Sequence, residues 1–486
     1  MEEKTSIRNF RINRKTVVTR LVSILVIYLL VGIATYLIPQ GMYERTVENG
    51  HDVILKDSFR FLESGPLPVW RWFTAPFEAL VSGSSSTFVI IILMMLFMGG
   101  IMVILDESGI MLYIITSIYL KYGAKKYRML WIMTAVMMLM GSTISFYDQC
   151  GILVPVALGL SFASGWDSMV GLGLSFFPIA MGFSVSTINP FTVGIPQSIA
   201  GLPVNSGIWL RLILLVVMYL LYVTFLSDYA KKVEADPSSS LVAETDIQVR
   251  QLFPDEADPE ILNDRKTRRG AFIFLFFIAL IFLYTFASIY VKALSGIAMP
   301  VMLVFLLAGS LLGGLATGKL SGRDLLQAMK SGVMITLPPA IVAFLIMGLR
   351  QIVMNGNIMD TLLYYTFNGI QGMSPYIAVF VILGITLALE FVVSSATAKA
   401  FLILPLLVPL GNMVGLTSQT IVQAYMFGDS FSNAFYPTSN MVMILSGIIG
   451  VSFNTWYKWS FKLILRIIAL VVVTLIFCVA IGYGPF

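Results

Sequence analysis

Two clusters of short polar side chains interrupt long apolar runs in this 486-residue chain, and the second echoes the first. Ser142, Thr143 and Asp148 are followed by Ser186, Thr187 and Asn189; Ser394, Ser395, Thr397 and Lys399 are followed by Asp429, Ser432, Asn433, Thr438 and Ser439. At membrane depth, irregular backbone survives only where protein or a watery cavity satisfies its N–H and C=O groups. Broken helices of this kind offer half-helix ends and freed carbonyls to ligands and ions. One expectation is that Ser142, Thr143, Asp148, Asn189, Ser394, Ser395, Thr397, Lys399, Asn433 and Thr438 bind a small substrate, with hydroxyls and helix N-termini on its carboxylate. A second is that Ser186, Thr187, Asn189, Asp429, Ser432 and Ser439 hold a coupling Na⁺, Asp429 anchoring it or carrying a proton in its place. The plainer alternative is that small residues let helices pack closely and that the polar groups cap interrupted helices. A charge at mid-bilayer costs roughly 3 kcal/mol or more, which marks Asp148, Asp429 and Lys399 as functional. Asp148 and Lys399 fall on opposite hairpins and are expected to pair or to face a wet cavity. Glu390 is expected near the outer surface.

These residues need a membrane around them, and the composition supplies one. The chain is 58% hydrophobic and 12% charged, with a mean hydropathy of +0.88, whereas soluble domains carry roughly 25% charged residues. The net charge of +5 sits in loops, where Lys and Arg report topology, and does not signal nucleic acid. His51 is the single histidine, so a His-based metal site or catalytic triad is not expected and neither is an enzyme. Cys150 and Cys478 lie in apolar segments and imply no disulfide framework. Gly313 and Gly318-Lys319 imitate a phosphate loop, but Leu320 stands where the Ser or Thr for magnesium belongs.

The basic segment 1–20 places the N-terminus in the cytoplasm by the positive-inside rule, and the expected address is the inner (plasma) membrane, with many passes. Apolar runs 21–38 and 82–105 cross first. Residues 109–120 span only about 18 Å as a helix against about 30 Å of hydrocarbon, and are expected to lie on the membrane surface. A re-entrant hairpin over 129–164 and a broken helix over 169–199 come next, then a span over 207–226. The stretch 227–269 reads as a flexible cytoplasmic linker. The second half, 270–486, repeats the plan, with a hairpin over 376–411, a broken helix over 418–450 and a last span over 459–481. The tally is an all-α polytopic membrane protein with about nine spans and two re-entrant hairpins.

The halves match by landmark. Ile110 and Ile358 are 248 positions apart, Ser142 and Ser394 252, Pro155 and Pro409 254, Gly165 and Gly415 250, and Asn189 and Ser439 250. Topology puts the first hairpin inside and the second outside, an inverted repeat that suits alternating access around a midplane site. That points to a secondary carrier, with a channel on the same repeat as the rival.

The segments Asn189-Pro190-Phe191-Thr192-Val193-Gly194-Ile195 with Ile199-Ala200-Gly201-Leu202-Pro203, and Gly428-Asp429-Ser430-Phe431-Ser432-Asn433 with Pro437-Thr438-Ser439, resemble the YfcC-like carriers. That group is related to the DcuC-like C4-dicarboxylate and aminobenzoyl-glutamate carriers of the ion transporter superfamily, and the resemblance covers most of the chain. It implies an elevator carrier, usually a homodimer in the lipid bilayer, whose hairpin tips and broken helices take a small-molecule substrate and a coupling ion. Basic amino acids, dicarboxylates and small peptides are the substrates it implies. The chain departs from it at the first hairpin, where Ile144-Ser145, with Asp148 nearby, replaces a common acidic pair. Together with Lys399, this favours an anionic group on the substrate. The expectation is therefore an amino acid or another small carboxylate, moved with Na⁺ or H⁺ or by exchange.

Overall fold

The computed structural model describes residues 26–484 except 27, 49–50, 55–57, 64, 82–84, 123–124, 145–146, 148–149, 253–262, 292–293, 295–296, 371 and 392–395. The basic N-terminal segment, the start of the first span, and Asp148, Ser145, Ser394 and Ser395 lie outside the described residues.

Among the described residues, the fold is all-α apart from four short strands. Helix α1 (Tyr28–Leu37) leads into β1 (Gly41–Met42), β2 (Arg45–Glu48), β3 (His51–Ile54) and β4 (Arg60–Phe61), with β1 antiparallel to β4 and β2 to β3. There follow α2 (Val69–Val81), α3 (Ser85–Glu107), α4 (Ile110–Tyr122), α5 (Lys126–Ile144), α6 (Val154–Ala163), α7 (Ser168–Leu174), α8 (Phe176–Ser184), a π-turn at Pro190–Gly194, α9 (Ile195–Ile199), α10 (Ile208–Ala235) and α11 (Ala243–Leu252). The second half holds α12 (Arg265–Tyr290), α13 (Ala298–Ala316), α14 (Gly322–Asn355), α15 (Met359–Ile370), α16 (Pro375–Glu390), α17 (Ala396–Met413), α18 (Ser418–Ser430), α19 (Asn440–Ile448) and α20 (Phe453–Ile481). Among the described residues, six helices are long and apolar enough to cross a membrane: α5, α10, α13, α17, α20 and the first part of α12.

Local chemistry sets the boundaries. Ser374, Thr417 and Ser452 accept from backbone N–H groups at the starts of α16, α18 and α20, and Ser321 with Asp324 forms a capping box at α14, each satisfying donors that a helix leaves orphaned. The turns that follow α6 and α17 are built the same way in both halves. Gly165 (φ 79°) and Gly415 (φ 90°) take the left-handed conformation that costs glycine nothing. The N–H of Trp166 bonds Ser161 O at 2.9 Å and that of Leu416 bonds Gly411 O at 2.9 Å. Asp167 then caps α7 where Thr417 caps α18. The landmark at 250 residues is one structural turn used twice.

The described part of the connection between the halves includes a helix, α11, that its charged composition does not announce. Helix α11 docks on the α6–α7 turn: Asp246 accepts from Ser168 N at 2.9 Å, Arg250 donates to Trp166 O at 2.8 Å and lies over the Phe162 ring. Asp167 beside it accepts from the hydroxyls of Tyr229 at 2.6 Å and Ser240 at 2.7 Å. Burial pushes both carboxyls, Asp167 and Asp246, above the usual carboxylate range; for Asp246 the neighbouring Asp167 pushes the same way, while Ser168 and Arg250 act against it. The folded state therefore binds more protons than the unfolded chain. This contribution favours folding at acid pH and is lost as pH rises from about 4 through the raised folded values. Asp246→Asn keeps an acceptor for Ser168 N and is expected to flatten this slope in melting curves between pH 5 and 8; an unchanged slope would remove Asp246 from the account.

Candidate functional site

In the first half, α5 and α8 cross with their backbones touching. A Cβ on Gly141 would lie 2.0 Å from Ile179 O, and one on Gly182 would lie 1.9 Å from Met138 O. Only glycine allows this approach, and it brings the end of α5 against the break just after α8. There Thr187 N–H donates to Ser142 Oγ at 3.0 Å, the two hydroxyls lie 3.0 Å apart, and Asn189 Nδ2 donates to Gly141 O at 3.1 Å. Asn189 Oδ1 accepts from Phe191 N at 2.9 Å, capping the π-turn that Pro190, lacking an N–H, can begin. Thr143 and Ser186 hydroxyls donate to Leu139 O at 2.7 Å and Phe183 O at 2.6 Å. Thus Ser142, Thr143, Ser186, Thr187 and Asn189 are buried and serve first to hold a broken helix together.

The second half has the same crossing with different residues: a Cβ on Gly428 would lie 2.7 Å from Thr386 Cβ, joining α16 to α18. Its break is charged. Lys399 Nζ lies 2.7 Å from Asp429 Oδ1 and is also paired with Glu390. The Glu390, Lys399 and Asp429 side chains are 2%, 0% and 0% exposed. Among the described residues, Lys399 takes its partners from its own half of the chain, Glu390 and Asp429; Asp148, the partner expected from the other hairpin, lies outside the described residues. The Glu390 side chain is buried within the protein. With both carboxylates ionised the triad carries one surplus negative charge, so Lys399 is not a free cation for an anionic substrate.

The freed carbonyls of this break are already engaged. Tyr147 OH donates to Asn433 O at 2.8 Å and lies 3.2 Å from Ser439 Oγ; Trp456 Nε1 donates to Ala434 O at 3.1 Å; Tyr457 OH donates to Phe435 O at 2.6 Å. Ser432 Oγ and Asn433 Nδ2 donate to Gly428 O and Asp429 O, each at 2.8 Å. Thr397 is buried in the first turn of α17, and Thr438 is half-buried in the break. Asp429, the one carboxylate of the expected set, faces an ammonium, and the carbonyls at 433, 434 and 435 each accept a bond.

Sequence reasoning missed the aromatic donors Tyr147, Trp456 and Tyr457, which no spacing ties to the break. It also missed Arg211, which is 0% exposed and donates through Nε to Thr187 O at 3.3 Å and through Nη1 to Ser206 O at 2.7 Å. Its signal was a lone cation four residues after Gly207 in an apolar helix. The two halves meet directly: Gln197 Nε2 donates to Gln419 Oε1 at 3.1 Å, and Phe177 stacks near Trp456 with ring centroids 5.0 Å apart.

Known proteins give this geometry a family. The Escherichia coli (strain K12) protein YfcC, which carries a provisional designation as a basic amino acid antiporter, is 28% identical over 468 residues, covering 90% of this chain and 91% of that protein. A Haemophilus influenzae protein of unassigned function is 25% identical over 367 residues, 76% of this chain and 71% of its own length. In fold, the chain is similar to the Alcanivorax borkumensis YdaH transporter (TM-score 0.67, 16% identity, 97% of this chain and 99% of that one). It is equally similar to Neisseria gonorrhoeae MtrF, described within a class of antimetabolite efflux pumps (TM-score 0.66, 16% identity, 96% and 97%). The family model of the C4-dicarboxylate anaerobic carriers, DcuC, matches residues 18–480, and this membrane protein belongs to that family.

Proposed function

We propose that the chain is a secondary active carrier for an amino acid or another small carboxylate, working by an elevator motion in which the two hairpins and two broken helices move against the remaining helices. The observation that carries this reading is the Glu390–Lys399–Asp429 triad at the break of an otherwise apolar helix pair. Such a group is costly at membrane depth, and its surplus negative charge suits a cationic substrate group or a proton. Proton coupling or exchange fits that triad better than Na⁺. The homodimer and inner-membrane location remain part of the same proposal, as does the set of candidate residues from Ser142 to Ser439.

The basic amino acid designation of the YfcC relative bears on the substrate. The acidic pair expected at the first hairpin is absent from the sequence there, but Glu390 and Asp429 supply two carboxylates in the second half. A C4-dicarboxylate is the second reading, favoured by the family's description and by the buried Arg211.

The test is counterflow into proteoliposomes preloaded with arginine, ornithine, glutamate or succinate, with Na⁺, K⁺ and pH gradients imposed in turn. Saturable uptake of one class, reduced at least tenfold by Asp429→Asn, is the expected result. Flux that rises linearly with concentration and is indifferent to preloading would instead favour a channel.

A further inference from the structure

We propose that Arg211 anchors a buried carboxylate-binding site lying between the 192–211 segment and helix α18, so that the two halves share it. This rests on the carrier reading and names the substrate group that the carrier holds. Among the described residues Arg211 has no carboxylate partner. Its Nε and Nη1 are spent on the Thr187 and Ser206 carbonyls, the neutral Tyr483 hydroxyl lies beside the guanidinium, and Nη2 has no hydrogen bond of good geometry.

The neighbouring amides are in the same condition. Ser206 connects them: its carbonyl accepts from Arg211, while its hydroxyl donates to Gln419 Oε1 at 2.7 Å. Gln197 donates to that same Oε1 at 3.1 Å. With its oxygen doubly engaged, the Gln419 amide must turn Nε2 outward, and Nε2 has no partner. Gln423, one turn further along α18, and Asn205, beside Ser206, have both amide atoms buried and unpaired. Val193 and Leu202 pack against Val422 and Met426, which holds the two segments together.

Buried polar groups are almost always paired, and each exception needs a reason. A cluster of exceptions around one uncompensated guanidinium has a simple one, an anion with two acceptor oxygens. The planar guanidinium matches a carboxylate, and primary amides complete its coordination. Of the hydroxyls first suspected at the breaks, those of Thr143, Ser186 and Ser432 donate to backbone carbonyls close in sequence, whereas the guanidinium and amides here keep unpaired donors. Through Thr187 O, Arg211 also touches the first break directly, so an occupied site would be felt there.

The experiment is thermal melting of the purified full-length protein with glutamate, succinate, arginine or agmatine, the last being arginine without its carboxylate. At least one carboxylate is expected to stabilise the wild type and agmatine is not. In Arg211→Met the carboxylate shift is expected to vanish, while the ligand-free melt stays equal to or above wild type, because an uncompensated buried charge has been removed. Gln423→Leu is expected to weaken the response at least threefold. A carboxylate shift retained in both variants overturns the proposal alone and leaves ordered water as the occupant. A ligand-free melt several degrees lower in Arg211→Met, with Gln423→Leu responding like wild type, also overturns it and makes the guanidinium a strut. A wild type that none of the four compounds stabilises overturns the carboxylate reading of the carrier as well.

Discussion

Lys399→Met will lower stability by about 3–5 kcal/mol, because it removes the ammonium and leaves two buried carboxylates facing each other. The Lys399 side chain has 0% exposure, and its two partners have 2% and 0%, so water cannot take its place. The size of the effect reports unpaired charge more than the worth of the original ion pair, and a second step separates the two. Adding Glu390→Gln and Asp429→Asn to Lys399→Met makes the cluster neutral and should recover most of the loss. Transport should remain absent in the neutral triple variant even as the melt recovers. Melting and counterflow on the single and triple variants check this. A single variant within about 0.5 kcal/mol of wild type would show that the ammonium is not the counter-ion at this break.

Gly182→Val is the second large effect. Even the first carbon of the new side chain would fall 1.9 Å from Met138 O and 2.8 Å from Met138 C, atoms of a helix backbone that cannot turn aside. The α5–α8 pair must separate by more than an ångström. The bonds that depend on the approach then go with it: Asn189 Nδ2 to Gly141 O and Thr187 N to Ser142 Oγ. Overpacking costs typically 1–3 kcal/mol and each lost buried bond about 1 kcal/mol, giving about 3–5 kcal/mol in all and a collapsed first break. Gly384→Ala is the control: nothing lies within 4 Å of its Cβ position, and it should be neutral or slightly stabilising. If Gly182→Val melts like Gly384→Ala, the close crossing is not what holds the first break.

Much of the architecture was legible because it is written in local chemistry. Asn189 caps the turn that Pro190 opens, Ser439 stands at the start of the helix after Pro437, and Gly165 and Gly415 turn the chain identically 250 residues apart. Those signals act within a few residues, so the sequence displays them. The site itself was less visible. Glu390 and Lys399 meet from the end of α16 and the start of α17, and Asp429 joins from α18; no spacing along the chain announces that. A cation near a helix start commonly snorkels, and only packing reveals that Arg211 is enclosed. Gln419 and Gln423 carry no charge and drew no attention within α18. The docking of α11 was hidden by its acidic composition, which looks like a solvated linker until Asp246 and Arg250 find the turn at Trp166–Ser168.

The aromatic clasp on the second break has a calorimetric consequence. Tyr147, Trp456 and Tyr457 satisfy three successive carbonyls, Asn433, Ala434 and Phe435, from within the protein. If the proposed substrate binds at this break, a backbone held in this way spares association the entropy of folding a loop. Binding should carry a small heat-capacity change, set by the desolvation of a few side chains and far from the signature of coupled folding. Because Tyr147 comes from the first half of the chain and the break from the second, the two halves are tied together before any substrate enters. A ligand gripping either one will move both.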